Sequence, residues 1–527
     1  MIETPVLIAG GGPVGMTLAL ELASHGVRSM LVERNASTTR HPKMDLTNGR
    51  SMELFRRLGL VERLRAAGVP PDHPFDIVWA TSATGRVLHR FAYPSANQRR
   101  AEVRASNDGT QTLEPPMRVS QIVIEPVLKE AIDANPRVDV RFGWAFESLE
   151  QGADGVSAVI RSSASGEAER VHCAYLAGCD GGGSTVRAAL GIGLEGQLRI
   201  ANAYMVHFRS RAHDVLSRFG RLWHLQTGRG TVISQDGFDI WTLQAIPLPD
   251  GDPASFDPAE LLRAWAGCDF DFEILVANPW TPHQVIADRY VDGRVALAGD
   301  SAHQVIPTGG YGMNTGIGDA VDLGWKLAAL LNGWGGPRLL QSYEAERRPI
   351  ALQNRAAAQR HAEVRFAITA LIAEGANEKA ETLGAKVAAL GNAENECWGI
   401  EHGYRYEASP VICHESSPPP PFDPQVCTPT TWPGARLPHL WLSDGSALYD
   451  HLGPDLTLLA LGGADPGAFA QAAEQARVPL AVVPLAADPA LKLLERRLLL
   501  VRPDHHVAWR GDQAPADCRA VIDHVRG

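Results

Sequence analysis

Residues 1–34 constrain this chain more than any other part of it. An apolar run, Pro5 to Ala9, passes into Gly10-Gly11-Gly12-Pro13-Val14-Gly15 and then into a helix-like stretch, and a second apolar run, Ser29 to Val32, closes on Glu33. The order strand, glycine turn, helix, strand, acid belongs to a βαβ unit that holds a dinucleotide. Gly10 permits the tight turn, Gly12 lets the backbone approach a pyrophosphate, and Gly15 lets the helix pack closely on the strand. With Pro13 these are the candidate phosphate-side residues. The phosphates would lie at the helix N-terminus, where free N–H groups and the dipole favour negative charge. Glu33, with Arg34 beside it, can accept the adenosine ribose hydroxyls, and its charge would repel a 2′-phosphate. The segment therefore predicts FAD or NAD here, and not NADP.

At 527 residues the chain exceeds one typical core, so two or three domains are expected. A formal net charge of −11 disfavours nucleic-acid and anionic-membrane partners. No apolar run approaches a membrane span, and Met1-Ile2-Glu3-Thr4 lacks the basic start of a secretory signal. Seven cysteines without a CxxC pair suggest a reducing cytoplasm and neither a disulfide framework nor a metal site.

Further along, the stretches Ala203 to Phe208, Arg221 to Thr227 and Asp239 to Ala245 alternate apolar with polar residues. Such alternation predicts half-buried antiparallel strands, a plausible substrate platform. Residues from about 338 to 400 have helical composition, and Ser416-Ser417-Pro418-Pro419-Pro420-Pro421 reads as a stiff linker. Beyond it, an apolar run, a helical stretch, a second apolar run and a hairpin turning at Pro503-Asp504 predict a small separate α/β domain.

Two more glycine-aspartate motifs narrow the cofactor. Tyr175 to Gly181 carries an apolar run into Asp180, with Ser184 and Arg187 following. Gly293 to His303 delivers Asp300 to a turn, and past Pro307 the run Gly309-Gly310-Tyr311-Gly312-Met313-Asn314 opens a helix through Leu331. Glycines there let backbone N–H groups reach a flat, electron-rich ring edge. The three motifs, in this order, resemble the FAD-dependent aromatic hydroxylases, the single-component flavoprotein monooxygenases typified by para-hydroxybenzoate hydroxylase, over roughly residues 1 to 410. The segment Leu500 to Arg510 is similar to the end of the thioredoxin-like domain of the phenol, hydroxybiphenyl and polyketide hydroxylases of that family; without CxxC it cannot do dithiol chemistry.

The resemblance implies an α/β fold: a Rossmann-like FAD-binding domain (1–75, 110–190, 286–345), an inserted antiparallel β-sheet substrate domain (76–109, 191–285), a helical linker region (346–415) and a thioredoxin-like α/β C-terminal domain (430–527). It implies Glu33 at the adenosine ribose, Asp300 at the ribityl chain, and Asp180 where FAD and a passing nicotinamide meet. Arg50, Gln121, Pro307, Gly312, Met313 and Asn314 are carried over as further FAD contacts. NAD(P)H would bind transiently as co-substrate, since no second Rossmann motif is present. Where many relatives have Gly-Gln-Gly, this chain has Gly310-Tyr311-Gly312, and Tyr311 either lines the pocket or packs.

The implied reaction consumes NAD(P)H and O2 and transfers one oxygen, through a flavin C4a-hydroperoxide, to a phenolic aromatic ring, ortho to its hydroxyl. Ionising a phenol of pKa about 10 costs ~4 kcal/mol at pH 7, so a base or cation nearby has something to gain. Asp45 and His224 are the candidate proton acceptors, Arg118 a phenolate stabiliser, Trp223 and Trp241 aromatic walls, and Pro307 and Tyr311 residues beside the reacting centre. His303 reads as scaffold, and His505-His506 as a surface turn. Epoxidation or Baeyer-Villiger tailoring of a polyketide, and a non-catalytic flavin-binding protein, stay open, as does a homodimer.

Overall fold

The computed structural model describes residues 1–246, 248, 252, 255–375 and 377–527. Its first sheet is built on the glycine-turn strand. Val295–Leu297, Ala168–Gly178, Ile2–Ala9, Ser29–Glu33 and Val138–Phe142 lie side by side and parallel, with Val291–Asp292 antiparallel at one edge and the hairpin Trp144–Gln151/Val156–Ser162 joined to Ala168–Gly178. From the central Ile2–Ala9 the chain runs outward through Ser29–Glu33 to Val138–Phe142, then returns to the other side at Ala168–Gly178. That reversal is a topological switch point, and ligands of open α/β sheets bind beyond the carboxyl ends of the strands there. Ala9 stands opposite Gly178, and Gly178 opposite Leu297, so three strands deliver their turns to one level.

The helices Pro13–Ser24 and Tyr311–Leu331 pack together on this sheet. Gly316 makes the approach possible: a Cβ there would lie 2.5 Å from the Val14 side chain and 3.1 Å from the Gly299 Cα.

A second, seven-stranded sheet runs in the order Glu273–Trp280, Ala203–Arg209, Ile240–Ala245, Gly230–Ser234, His224–Thr227, Ile77–Ala80, Val87–Phe91. The alternating stretches predicted as strands all lie in it. Its pleat divides the residues by parity. Val78, Leu225, Val232, Leu243 and Val206 form an apolar face under the helix Pro258–Ala266, whose Leu262 and Trp265 are fully buried. The opposite face carries two cross-strand rows, Ile77–His224–Ile233–Thr242–His207 and Trp79–Gln226–Thr231–Gln244–Met205. It is buried yet polar, which an ordinary core face is not.

The predicted helical stretch is the long helix Leu339–Glu374 followed by Ala380–Leu390 and Trp398–Glu401. Beyond the proline run, Leu456–Leu461, Gly467–Ala476, Leu480–Leu485 and the hairpin Leu498–Val501/Val507–Gly511 realise the expected β-α-β-β order. The expected separateness of this region does not hold. Leu456, Leu458, Phe469 and Leu500 share one apolar cluster with Trp325, Trp334 and Leu339 of the dinucleotide-binding region. His505 and His506 are likewise not at the surface but 3% and 0% exposed, because His505 packs on Tyr449 and meets Arg50, and His506 stacks on Tyr406. Among the described residues no helix is long and apolar enough to cross a membrane.

Candidate active site

The turns at the switch point hold one another. Gly10 sits at φ +113°, and a Cβ there would lie 2.2 Å from the Cys179 carbonyl oxygen; a Cβ on Gly15 would lie 2.0 Å from the Gly10 carbonyl oxygen. Gly12 is different, since a Cβ there would meet nothing within 4 Å. The first two glycines are required by packing, and Gly12 faces open space at the start of the helix Pro13–Ser24, where a phosphate is favoured. Glu33 accepts hydrogen bonds from Gly11 N (2.8 Å) and Asn35 N (2.9 Å), placing its carboxylate beside that turn, and Arg34 next to it is exposed.

Asp300 is exposed in area yet enveloped by protein, as a residue on the wall of a deep cleft is, and the burial raises its pKa from the usual value. Its turn is pinned by a residue that sequence reasoning missed. Asp319 accepts hydrogen bonds from Gly299 N (3.1 Å), His303 Nε2 (2.7 Å) and Arg347 Nε (2.8 Å). Burial opposes ionisation of Asp319, but His303 and Arg347 hold its pKa below the ordinary carboxylate value. The available signal was an acid inside an apolar helix, which must find cations. His303, 1% exposed, is scaffold as expected.

Asp180 uses both carboxylate oxygens to hold the next helix, accepting from Ser184 Oγ, Thr185 N and Val186 N. Pro307 is exposed, a Cβ on Gly312 would meet nothing within 4 Å, and Met313 is half-buried. Asn314 clamps this helix start to the loop before residue 49: its Oδ1 accepts from Asn48 N (3.0 Å) and its Nδ2 donates to Leu46 O (3.1 Å). Gln121 ties the same loop through Gln121 N to Met44 O, while its amide donates to Glu125. Arg50 is directed away from solvent, donating to the Asp504 carbonyl and meeting His505 Nδ1 at 3.2 Å. The open side at Gly12, the free first turn of the helix, the acid at the end of the second strand and the enveloped Asp300 fit the pyrophosphate, adenosine ribose and sugar-alcohol chain of FAD.

From Leu46 the loop leads to the second sheet. Asp45 Oδ2 accepts from Trp223 Nε1 (2.6 Å) and His224 Nε2 (3.1 Å), although 178 and 179 residues separate them. Asp45 Oδ1 accepts no hydrogen bond among the described residues, and the side chain remains 21% exposed. Burial opposes ionisation of Asp45, yet the contacts from His224 and Trp223 keep its pKa below the usual value; burial lowers that of His224, with Asp45 opposing. The pair at neutral pH is a carboxylate and a neutral imidazole donating to it. Beside them, Gln226 is fully buried with neither amide atom paired, and His224 Nδ1 is also without a partner. Three unpaired polar atoms thus lie buried on one sheet face beside the Asp45 carboxylate, where buried polar atoms ordinarily find partners.

Other expected roles move. Arg118 donates to the carbonyls of Pro74, Leu222 and Ser234 and is 3% exposed, so it braces the junction of the two sheets and does not meet a phenolate. Burial lowers its pKa to about 10, with Asp45 opposing. Tyr311, 2% exposed, packs against Ala357, Ala358 and Ile400 and pairs through its hydroxyl with His361 (3.0 Å); of its two readings the structure gives packing, and it does not stand at the reacting centre. Trp241 donates to the Ser210 carbonyl within the outer core and is no wall of the cleft. Trp223 does line a cavity, with Leu46, Phe75 and Tyr93.

Comparison with known proteins agrees with this geometry. Residues 3–358 match the FAD binding domain family, and residues 430–527 match the family described as aromatic-ring hydroxylase, C-terminal. The chain is 38% identical to the FAD-dependent monooxygenase apdD of Emericella nidulans, over 96% of this chain and 87% of that protein. It is 30% identical to phenol 2-monooxygenase of a Pseudomonas species, over 100% and 92%. The solved structure of the rebeccamycin biosynthetic enzyme RebC with reduced flavin superposes with a TM-score of 0.89 at 36% identity, covering 100% of this chain and 99% of that one.

Proposed function

Because the chain belongs to the flavoprotein monooxygenases built from an FAD binding domain and an aromatic-ring hydroxylase C-terminal region, we propose that it hydroxylates a phenolic ring, with Asp45 receiving the phenol proton. FAD, with NAD(P)H as co-substrate, is its cofactor, and when bound it supplies the oxygen-activating chemistry. The chain's own residues place the ring. Trp223 and His224 hold Asp45 through Oδ2 and leave Oδ1 unpaired, able to accept a phenol O–H. The Gln226 amide on the same sheet face is buried and unpaired. Gly12, Glu33 and Asp300 would hold the cofactor, and the Asn314 clamp fixes the loop at Leu46 beside it.

The observation that carries this reading is a carboxylate kept ionised by two donors on one oxygen, with its other oxygen unpaired. Its test is NADH and NADPH oxidation under air against one-ring and multi-ring phenols, with products identified by mass. Phenol-stimulated oxidation with gain of one oxygen ortho to the hydroxyl supports it. A second reading, oxygenation of a multi-ring natural product, is favoured by the likeness to a rebeccamycin biosynthetic enzyme. Turnover on such a substrate with none on any simple phenol would establish it instead.

A further inference from the structure

Leu46, which follows Asp45, and Trp223, which donates to it, also line a cavity of about 60 Å³. Phe75, Tyr93, Trp223 and Trp398 make its walls aromatic, and Arg99 stacks on Trp398 with its guanidinium carbon 5.1 Å from the ring centre. Its polar groups are unusually free. The Glu401 carboxylate makes no hydrogen bond among the described residues. His402 donates through Nε2 to the Thr110 carbonyl (2.9 Å), which leaves Nδ1 as an acceptor with no partner. Asn395 Nδ2 is buried and unpaired. Buried polar atoms ordinarily find partners, and here two such atoms and a free carboxyl belong to residues around one aromatic space.

We propose that this cavity is a second arm of the substrate pocket, receiving the far ring of an extended aromatic substrate through a hydroxyl or N–H that donates to Glu401. The proposal rests on the phenolic reading above, and deepens it: Asp45 immediately precedes Leu46 and accepts from Trp223 Nε1, and Leu46 and Trp223 both line the cavity, so the two sites adjoin. Burial raises the Glu401 pKa to about 7, with Arg99 opposing. The other titratable groups around it are charged or neutral throughout the neutral range: Arg99 stays cationic, burial lowers His402 to about 4, and burial raises Cys397 to about 11 and Tyr311 well beyond that. An ionised Glu401 is the better acceptor, so affinity for a donor-bearing ligand rises with pH through about 7.

The test uses the oxidised, FAD-loaded enzyme without nicotinamide. Affinities are read from the flavin absorbance change for phenol, for a biphenylol, and for the same biphenylol with a second hydroxyl on its far ring. The wild type is expected to prefer the dihydroxy compound over phenol, increasingly as pH rises through neutrality. Glu401→Gln should reduce that preference at least tenfold and abolish its pH dependence, and Ala96→Leu, which fills the cavity from the opposite wall, should reduce it without altering the pH dependence that remains. A preference unchanged in either variant, with phenols still binding, overturns the second arm alone. Failure of every phenol to bind or be oxygenated by the wild type overturns the phenolic reading itself.

Discussion

Asp45 shows how far one carboxylate depends on its neighbours. Its two donors keep it ionised despite burial, and His224 stays neutral, so the pair presents an acceptor and not a second acid. Positioned general bases contribute roughly 10²- to 10⁴-fold. Asp45→Asn is therefore expected to lower phenol turnover by about 10²-fold or more and to remove the acid limb of the pH–rate profile, with FAD content unchanged. A full-rate Asp45→Asn enzyme would exclude Asp45 as the base. Both residues were legible as candidates because a strand histidine and a loop acid carry chemistry. Arg118 was equally legible and is a brace, since residue type says nothing about which partners the fold will supply.

At the level of the element, the glycine turn leaves little freedom. The helix Pro13–Ser24 can seat only if residue 15 has no side chain, because a Cβ would lie 2.0 Å from the Gly10 carbonyl oxygen. Gly15→Ala is expected to push the helix off the strand, costing ~1–3 kcal/mol as overpacking does, and to lower the flavin-to-protein absorbance ratio of the purified enzyme. Gly12→Ala meets open space within the protein, so its loss should appear in FAD affinity and not in the melting temperature of the FAD-free protein. Comparing the two variants by flavin titration and thermal unfolding separates a packing glycine from a ligand-facing one. The alternating strands were readable in the same way, since their period of two reports a half-buried sheet. That both faces would be covered, one by Pro258–Ala266 and the other by a polar site, was not.

For the whole molecule, the C-terminal region is fastened to the dinucleotide-binding region by buried charge. Arg502 donates to Glu346 (2.7 Å), Asp322 (2.9 Å) and Asp504 (2.6 Å), and Lys326 donates to Asp322 (2.8 Å) and Glu346 (2.6 Å). Burial pushes the Asp322 pKa well above its usual value, with Lys326 opposing, and two cations stand among three acids. The two cations lie where a metal ion would have to sit. Arg502→Met leaves Lys326 alone against three buried acids and is expected to destabilise the fold by ~3–5 kcal/mol, read by denaturant unfolding. A second fastening is His25, which bridges Glu21 (3.1 Å) and Asp455 (3.0 Å). Burial opposes its protonation, but these partners raise its pKa from the usual 6.5 to about 9. A raised folded-state pKa means stability fully present below about 6.5 and lost as pH rises through about 9. The loss is on the order of 3 kcal/mol at about 1.4 kcal/mol per pKa unit. Unfolding at pH 6 and pH 9.5 should show the decline in the wild type and much less of it in His25→Leu.

The sequence by itself determined the cofactor-binding frame, because a glycine turn, an acid at a strand end and an aspartate in a glycine-rich turn act through local backbone geometry that a few adjacent residues dictate. Tertiary structure alone decided which side chains share a site. Asp45 meets Trp223 and His224, Arg50 meets His505 and Glu53 meets Arg436 across 178 to 455 residues of chain. Those meetings follow from sheet register and from the docking of the C-terminal turn, and both are set by burial summed over many residues instead of by any short motif.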